Sequence, residues 1–212
     1  MDAKQEKVKQ LIATAHKLRQ SHFGTFGRFK ETLPEQMAGD ERKAYDLVKS
    51  ARSMVPGPYK IWVRNLKLAE AMLPMGRHYQ DQSSLSKAEI EIAVNLTAGK
   101  WMASYASYEH EWMAELVGGL PAEKVQALIA GLPTSFEDAR QQVIYEVASA
   151  LLAPRLIPMG MYKKAVDTLG DDGLTDLIAF IGYFTTVSLT LRAYDVPADA
   201  VGLDDRSHAA PA

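Results

Sequence analysis

The chain has no cysteine among its 212 residues. That absence removes disulfides, thiolate metal ligands and cysteine nucleophiles together. Histidine is sparse as well. Five are scattered along the chain with no HExxH-type pair, so no dedicated metal site is expected. An excess of charge of either sign is also missing: 24 Lys and Arg stand against 26 Asp and Glu, interspersed, for a net charge of −2. Neither nucleic acid nor an anionic membrane surface is indicated as a partner. No uninterrupted apolar run approaches the roughly 20 residues of a membrane-spanning helix. The first ten residues, MDAKQEKVKQ, are charged and lack the apolar core of a secretory signal, so a cytoplasmic location is the expectation. No phosphate-binding glycine loop occurs, since Gly118-Gly119 follows a helical pattern and reads as its C-terminal cap. No Ser-His-Asp arrangement can be assembled, and no cofactor is expected. Sustained period-two alternation with hairpin turns is absent too, which argues against sheet.

What remains is helical. Hydrophobic residues make up 47% and charged residues 24%, an ordinary globular balance for a chain long enough to bury one sizeable core. Residues 2–20 carry Val8, Leu11, Ile12, Ala15 and Leu18 at helical spacing, an amphipathic helix with one apolar stripe. HFGTFGRFKETLP reads as a loop or short helix ending at Pro34, and 35–54 as a further helix. This first quarter, 1–54, is expected to be an N-terminal helical arm used for packing. Val55-Pro56-Gly57-Pro58-Tyr59 is strong punctuation and marks the start of the main domain. A helix follows over 59–73, ended or bent by Pro74 and Gly76. Ser86 and Glu89 match a capping box that opens a helix running to about Ala98. Further helices are expected over 101–118, 121–130, 136–153, 158–169 and 174–194, with a turn at Gly170–Gly173. The tail from Pro197, residues 198–212, is expected to fray. The fold class is all-α, with eight to ten helices.

The chemistry-bearing residues concentrate between Glu89 and Gly118. On the 101–118 helix, Ala103, Ala106, His110, Ala114 and Val117 follow the three-and-four spacing. A histidine within a stripe of small residues faces a close neighbour or a small pocket. It is either a core histidine satisfied by one hydrogen bond or a titratable group tuned by burial and a carboxylate. The carboxylate candidate is Glu91, set among Ile90, Ile92, Ala93 and Val94. The competing role for Glu91 is a first-turn surface glutamate favoured by the helix dipole. Glu109 adjoins His110 but points about 100° away around the helix. It is placed at a cavity edge or a subunit contact, on the side of Tyr105 and Trp112. Tyr105 and Tyr108 are candidates for donating to a substrate oxygen. Trp101, Tyr105, Tyr108 and Trp112 all read first as packing residues. Arg64, Arg77 and His78 are candidate binders of substrate carboxylates, with solvated surface charge as the alternative.

Taken together, Gly57–Leu128 resembles the carboxymuconolactone decarboxylase family, whose superfamily includes the alkylhydroperoxidase D-like proteins. The matching features are Gly57-Pro58-Tyr59, the Gly76 turn, Leu85, Glu91, His110, Ala114 and Gly118. The closing IGYFTTVSLTLRAYDVP is similar to the family's last helix, so the resemblance covers roughly 55–197. It implies an alkylhydroperoxidase D-like helical bundle that assembles as trimers or hexamers. In the family's redox branch a glutamate feeds a proton relay to a CxxC pair and a histidine. Glu91 and His110 match the ends of that relay. Ala103 and Ala106 stand at the cysteine positions, and Tyr105 at an intermediate histidine. The decarboxylase branch has Glu-Trp just before its histidine, where this chain has Ala106-Ser107.

The function expected is that of a cofactor-independent lyase acting on a small carboxylated lactone or a related intermediate of aromatic catabolism. His110 would move the proton with support from Glu91, and Tyr105 would donate to the developing oxyanion. Tyr108, Glu109, Trp112, Arg64 and Arg77 would contact substrate. A non-catalytic oligomeric scaffold of the same fold is the alternative; a sealed core around His110 would favour it, and a pocket there the enzyme. Thiol-dependent peroxide reduction is the third reading.

Overall fold

The computed structural model describes residues 24–153 and 155–201, together with Glu6 and Gln10. The helix read over 2–20 and the tail beyond 201 lie outside the described residues. Eight α-helices account for most of what is described, so the chain is all-α as expected. They are α1 (Gly39–Arg52), α2 (Tyr59–Trp62), α3 (Leu66–Asp81), α4 (Lys87–Lys100), α5 (Ser104–Leu116), α6 (Ala122–Ala130), α7 (Ala139–Leu152) and α8 (Met159–Ala193).

The organising element is α4. Nine of its residues are buried, and it packs against α5, α6, α7 and α8. Its sequence is apolar almost all round, the pattern of a helix enclosed by others. Its start is the expected capping box: the Ser86 amide donates to Glu89 Oε2 at 2.8 Å, and the Glu89 amide donates to Ser86 Oγ at 3.3 Å. Glu89 is itself buried and accepts from Arg140 of α7 at 2.7 Å. One carboxylate thus caps α4 and ties it to its neighbour. Gly99 does not end this helix. A side chain there would collide with the Ile129 carbonyl, so the glycine permits close packing of α4 against α6.

The structure departs from several sequence expectations. Strand signals were absent, yet Thr25–Phe26 and Phe29–Lys30 pair as a two-residue antiparallel hairpin around Gly27. Gly27 has φ 63°, and a Cβ there would strike the Tyr194 carbonyl. The helix expected over 59–73 breaks at Val63–Asn65, because the Asn65 side chain accepts from the Leu68 amide and caps a new helix. That helix continues through Pro74 to Asp81, since the carbonyl left without a donor by proline belongs to solvent-exposed Glu70. The expected turn at 170–173 is reduced to one non-helical residue, Gly170 with φ 74°, and α8 resumes at once. Described residues on both sides of Val55–Pro58 share one hydrophobic core that includes Phe26, Phe29, Ala44, Tyr45 and Val48. The tail begins later than expected: Ala198–Val201 forms a 3-10 turn against α5 and buries Ala200.

By length and composition alone, α8 contains a stretch apolar enough to cross a membrane. Asp176 and Arg192 bracket this uncharged run and keep it shorter than a typical span. One face of it, with Leu177, Phe180, Ile181, Phe184, Val187 and Leu191, is committed to the core.

Asp176 locks α8 to the end of α3. Its carboxylate bonds His78 Nε2 at 2.7 Å and accepts from Ser83 Oγ, the Ser84 amide and Ser84 Oγ. Burial raises its pKa, but these bonds outweigh that and hold it at about 2. The group is depressed, so its stabilisation is present above the ordinary aspartate value of 3.8 and is lost as pH falls through about 2. Asp176→Asn is expected to cost about 2 kcal/mol at pH 7, at about 1.4 kcal/mol per pKa unit. Urea unfolding of both proteins should show the gap closing as pH falls towards about 2. An unchanged gap across that range would refute the assignment.

Candidate functional site

Glu91 lies in the second turn of α4 and His110 in the middle of α5. The Glu91 side chain is 6% exposed and that of His110 21%. His110 Nδ1 lies 2.9 Å from Glu91 Oε2. An ionised carboxylate only accepts, so Nδ1–H donates and Nε2 is left for the pocket. Asn95, one turn after Glu91 and wholly buried, fixes the register of the two helices. Its Nδ2 donates to the Glu91 carbonyl at 2.9 Å and to the His110 carbonyl at 3.2 Å. Phe184 of α8 meets the imidazole edge-on, with centroids 5.0 Å apart.

Burial lowers the His110 pKa. The Glu91 charge and hydrogen bond, with a further contribution from Glu109, more than reverse this and leave it raised above 6.5. The raised group makes its stabilising contribution below 6.5 and loses it as pH climbs through the folded-state pKa.

The pair borders a pocket of about 480 Å³, within the usual range for small-molecule sites. The walls come from α3, α4, α5, α8 and the Met54–Tyr59 segment. Aromatic rings run along one side in sequence: Tyr59, Tyr183, Tyr79, Phe180, Phe184, then His110. The Tyr59 and Tyr183 hydroxyls are 3.3 Å apart, Tyr183 stacks on Tyr79, and Tyr79 meets Phe180 at 4.4 Å. Phe180 lies 5.7 Å from Phe184. Burial raises the pKa of both Tyr79, to about 12, and Tyr183, so both stay neutral hydroxyls near neutral pH.

Of the residues singled out from sequence, Glu91, His110, Tyr105 and Glu109 line this pocket. Tyr105 is 3% exposed and packs edge-on against Phe26. The others lie elsewhere. Trp112 is buried outside the pocket, and Tyr108 is half-buried against the core. Arg64 is pinned by Glu41 and Thr32 and lies over the Phe29 ring. Arg77 faces solvent, and His78 is engaged by Asp176. Sequence reading missed Arg52, Tyr59, Tyr79 and Tyr183. They come from four separate helices, α1, α2, α3 and α8, and no local spacing links them. Asn95 did carry a signal, as a polar residue one turn from Glu91 in an apolar run. No group of three or more His, Asp or Glu able to hold a metal ion occurs among the described residues.

No protein-family model, curated protein or solved structure matches the chain. The functional reading therefore rests on the site's own geometry and on the resemblance carried by the sequence.

Replacing Glu91 by Gln removes the charge that offsets burial. In Glu91→Gln, the His110 titration followed by NMR is expected to move to lower pH, below its wild-type midpoint. An unmoved midpoint would show that Glu91 does not set the protonation of His110.

Proposed function

We propose that the chain is a cofactor-independent lyase that decarboxylates a small carboxylated, unsaturated lactone or a related intermediate. In this reading it is a cysteine-less relative of the carboxymuconolactone decarboxylases with an alkylhydroperoxidase D-like bundle. The observation that carries the proposal is the buried Glu91–His110 pair, 2.9 Å apart, opening on an aromatic-walled pocket. A pocket of that kind beside the pair, in place of a sealed core, favours catalysis over a non-catalytic scaffold built on the same fold.

The chemistry asks little of the protein beyond position and one proton. The bond between the substrate carbon and its carboxylate breaks, and the electron pair moves into the conjugated lactone carbonyl as an enolate. Carbon dioxide leaves, the His110 Nε2 proton passes to carbon, and the imidazole regains a proton from water. Burial opposes the imidazolium, but Glu91 more than offsets it and favours the protonated form that serves as an acid. Glu91 orients the ring and stabilises the imidazolium. Tyr105 is the candidate donor to the enolate oxygen. Apolar walls from Ile90, Val94, Phe180 and Val187 exclude water while charge develops. Thiol-dependent peroxide reduction has no nucleophile in this chain.

Assembly into a trimer or hexamer belongs to the same proposal. Between Asp176 and Arg192, the outer face of α8 presents Ile178 at 50% and Leu189 at 42% exposure with no charge, a surface suited to a second copy.

The test is carbon dioxide release from carboxylated butenolides by the purified protein. His110→Gln is expected to lower kcat by about a hundredfold or more, the usual worth of a positioned acid. It should leave the fold intact by circular dichroism. Equal turnover by wild type and variant would overturn the assignment.

A further inference from the structure

The pocket has a second polar end, and it is cationic. Arg52 closes α1 and reaches the wall opposite the acid–base pair along the row of aromatic rings. Its guanidinium lies over the Tyr59 ring at 5.2 Å, and Nη1 donates to Gln80 Oε1 at 3.2 Å. Its Nε is buried with no hydrogen-bond partner, and among the described residues it pairs with no carboxylate. That Nε is itself out of a ligand's reach; what the pocket wall offers is a guanidinium with no carboxylate partner, a group suited to receive an anion.

Gly76 makes room at this end. A Cβ there would lie 2.5 Å from Tyr59 Oη, 2.8 Å from Tyr183 Oη and 3.4 Å from Arg52 Nη1. Three polar groups therefore converge on the surface of one glycine. Tyr59 donates to the Met72 carbonyl, so Tyr183 is the hydroxyl free to turn its proton either to Tyr59 or into the pocket. Lys87, the other cation on the wall, is already occupied by the Tyr79 and Gln80 carbonyls at the end of α3.

We infer that Arg52, assisted by the Tyr183 hydroxyl, is the anion anchor of the pocket, and that its ligand is a flat, unsaturated carboxylate. The carboxylate sits on Arg52, the planar body lies along Tyr79, Phe180 and Phe184, and the far end reaches His110. The guanidinium at one end of the aromatic wall and the acid–base pair at the other set this direction. The choice of substrate class rests on the proposed lyase reading, and in that reading the carboxylate held by Arg52 is one the reaction keeps. A guanidinium paired with the leaving carboxylate would stabilise the ground state that must be lost.

Binding of benzoate to the purified full chain, measured by calorimetry or ligand-observed NMR, tests the anchor without any turnover. Wild type should bind benzoate and discriminate against uncharged benzamide. Arg52→Gln should weaken benzoate at least about tenfold and leave benzamide unchanged, Arg52→Lys should recover part of the loss, and His110→Gln should keep benzoate binding. Melting curves establish that each variant is folded. Benzoate binding that is undetectable in wild type, or equal in wild type and a folded Arg52→Gln, overturns the anchor. Neither result touches the lyase reading, which stands or falls on decarboxylation by wild type against His110→Gln.

Discussion

The structure turns on one buried charge pair. A carboxylate on the central helix cannot stay ionised in an apolar core without a partner, and the desolvation involved amounts to several kcal/mol. His110 supplies that partner from α5, and Asn95 fixes the relative position of the two helix backbones. Substituting well-packed apolar residues for such a pair is often neutral or stabilising. The pair is therefore hard to explain by stability alone. Its position on the wall of a cavity, rather than in a sealed core, gives the functional explanation.

Much of this was legible in sequence, for identifiable reasons. The capping box at Ser86–Glu89 is a local rule obeyed locally. The stripe of Ala103, Ala106, His110 and Ala114 placed the histidine inside because small residues at helical spacing mean close approach. Glu91 stood out as an acid in an apolar run. What failed was non-local. Arg64 and Arg77 looked as available as Arg52, since nothing in a linear pattern says which arginine meets Glu41 and Thr32 and which meets a cavity. Likewise Pro74 reads as a breaker unless one knows that its helix leaves that carbonyl facing water. The hairpin at Thr25–Lys30 is too short to show alternation and is recognisable only once Gly27 is seen against the Tyr194 backbone.

The two buried glutamates of α4 illustrate how environment separates roles within one turn. Glu89 is saturated: it caps its own helix and receives Arg140, so no capacity remains for chemistry. Glu91 bonds a histidine that lines the pocket. Both are similarly inaccessible to solvent. The difference lies in the partner. A guanidinium keeps its proton across the whole physiological range, whereas an imidazolium can give one up.

That contrast fixes the direction of proton flow in the proposed reaction. With Glu91 and Glu109 favouring its protonated form against burial, His110 suits the role of acid in that reaction. A site so biased suits reactions whose carbanion equivalent forms without prior deprotonation, as when a carboxylate departs into a conjugated carbonyl. The charge arrangement makes the same selection for the ligand. Two carboxylates flank the acid, and an unpaired guanidinium stands at the far end of the aromatic wall. In the proposed reading, a guanidinium at one end and the acid–base pair at the other give an anionic substrate its direction along the aromatic wall.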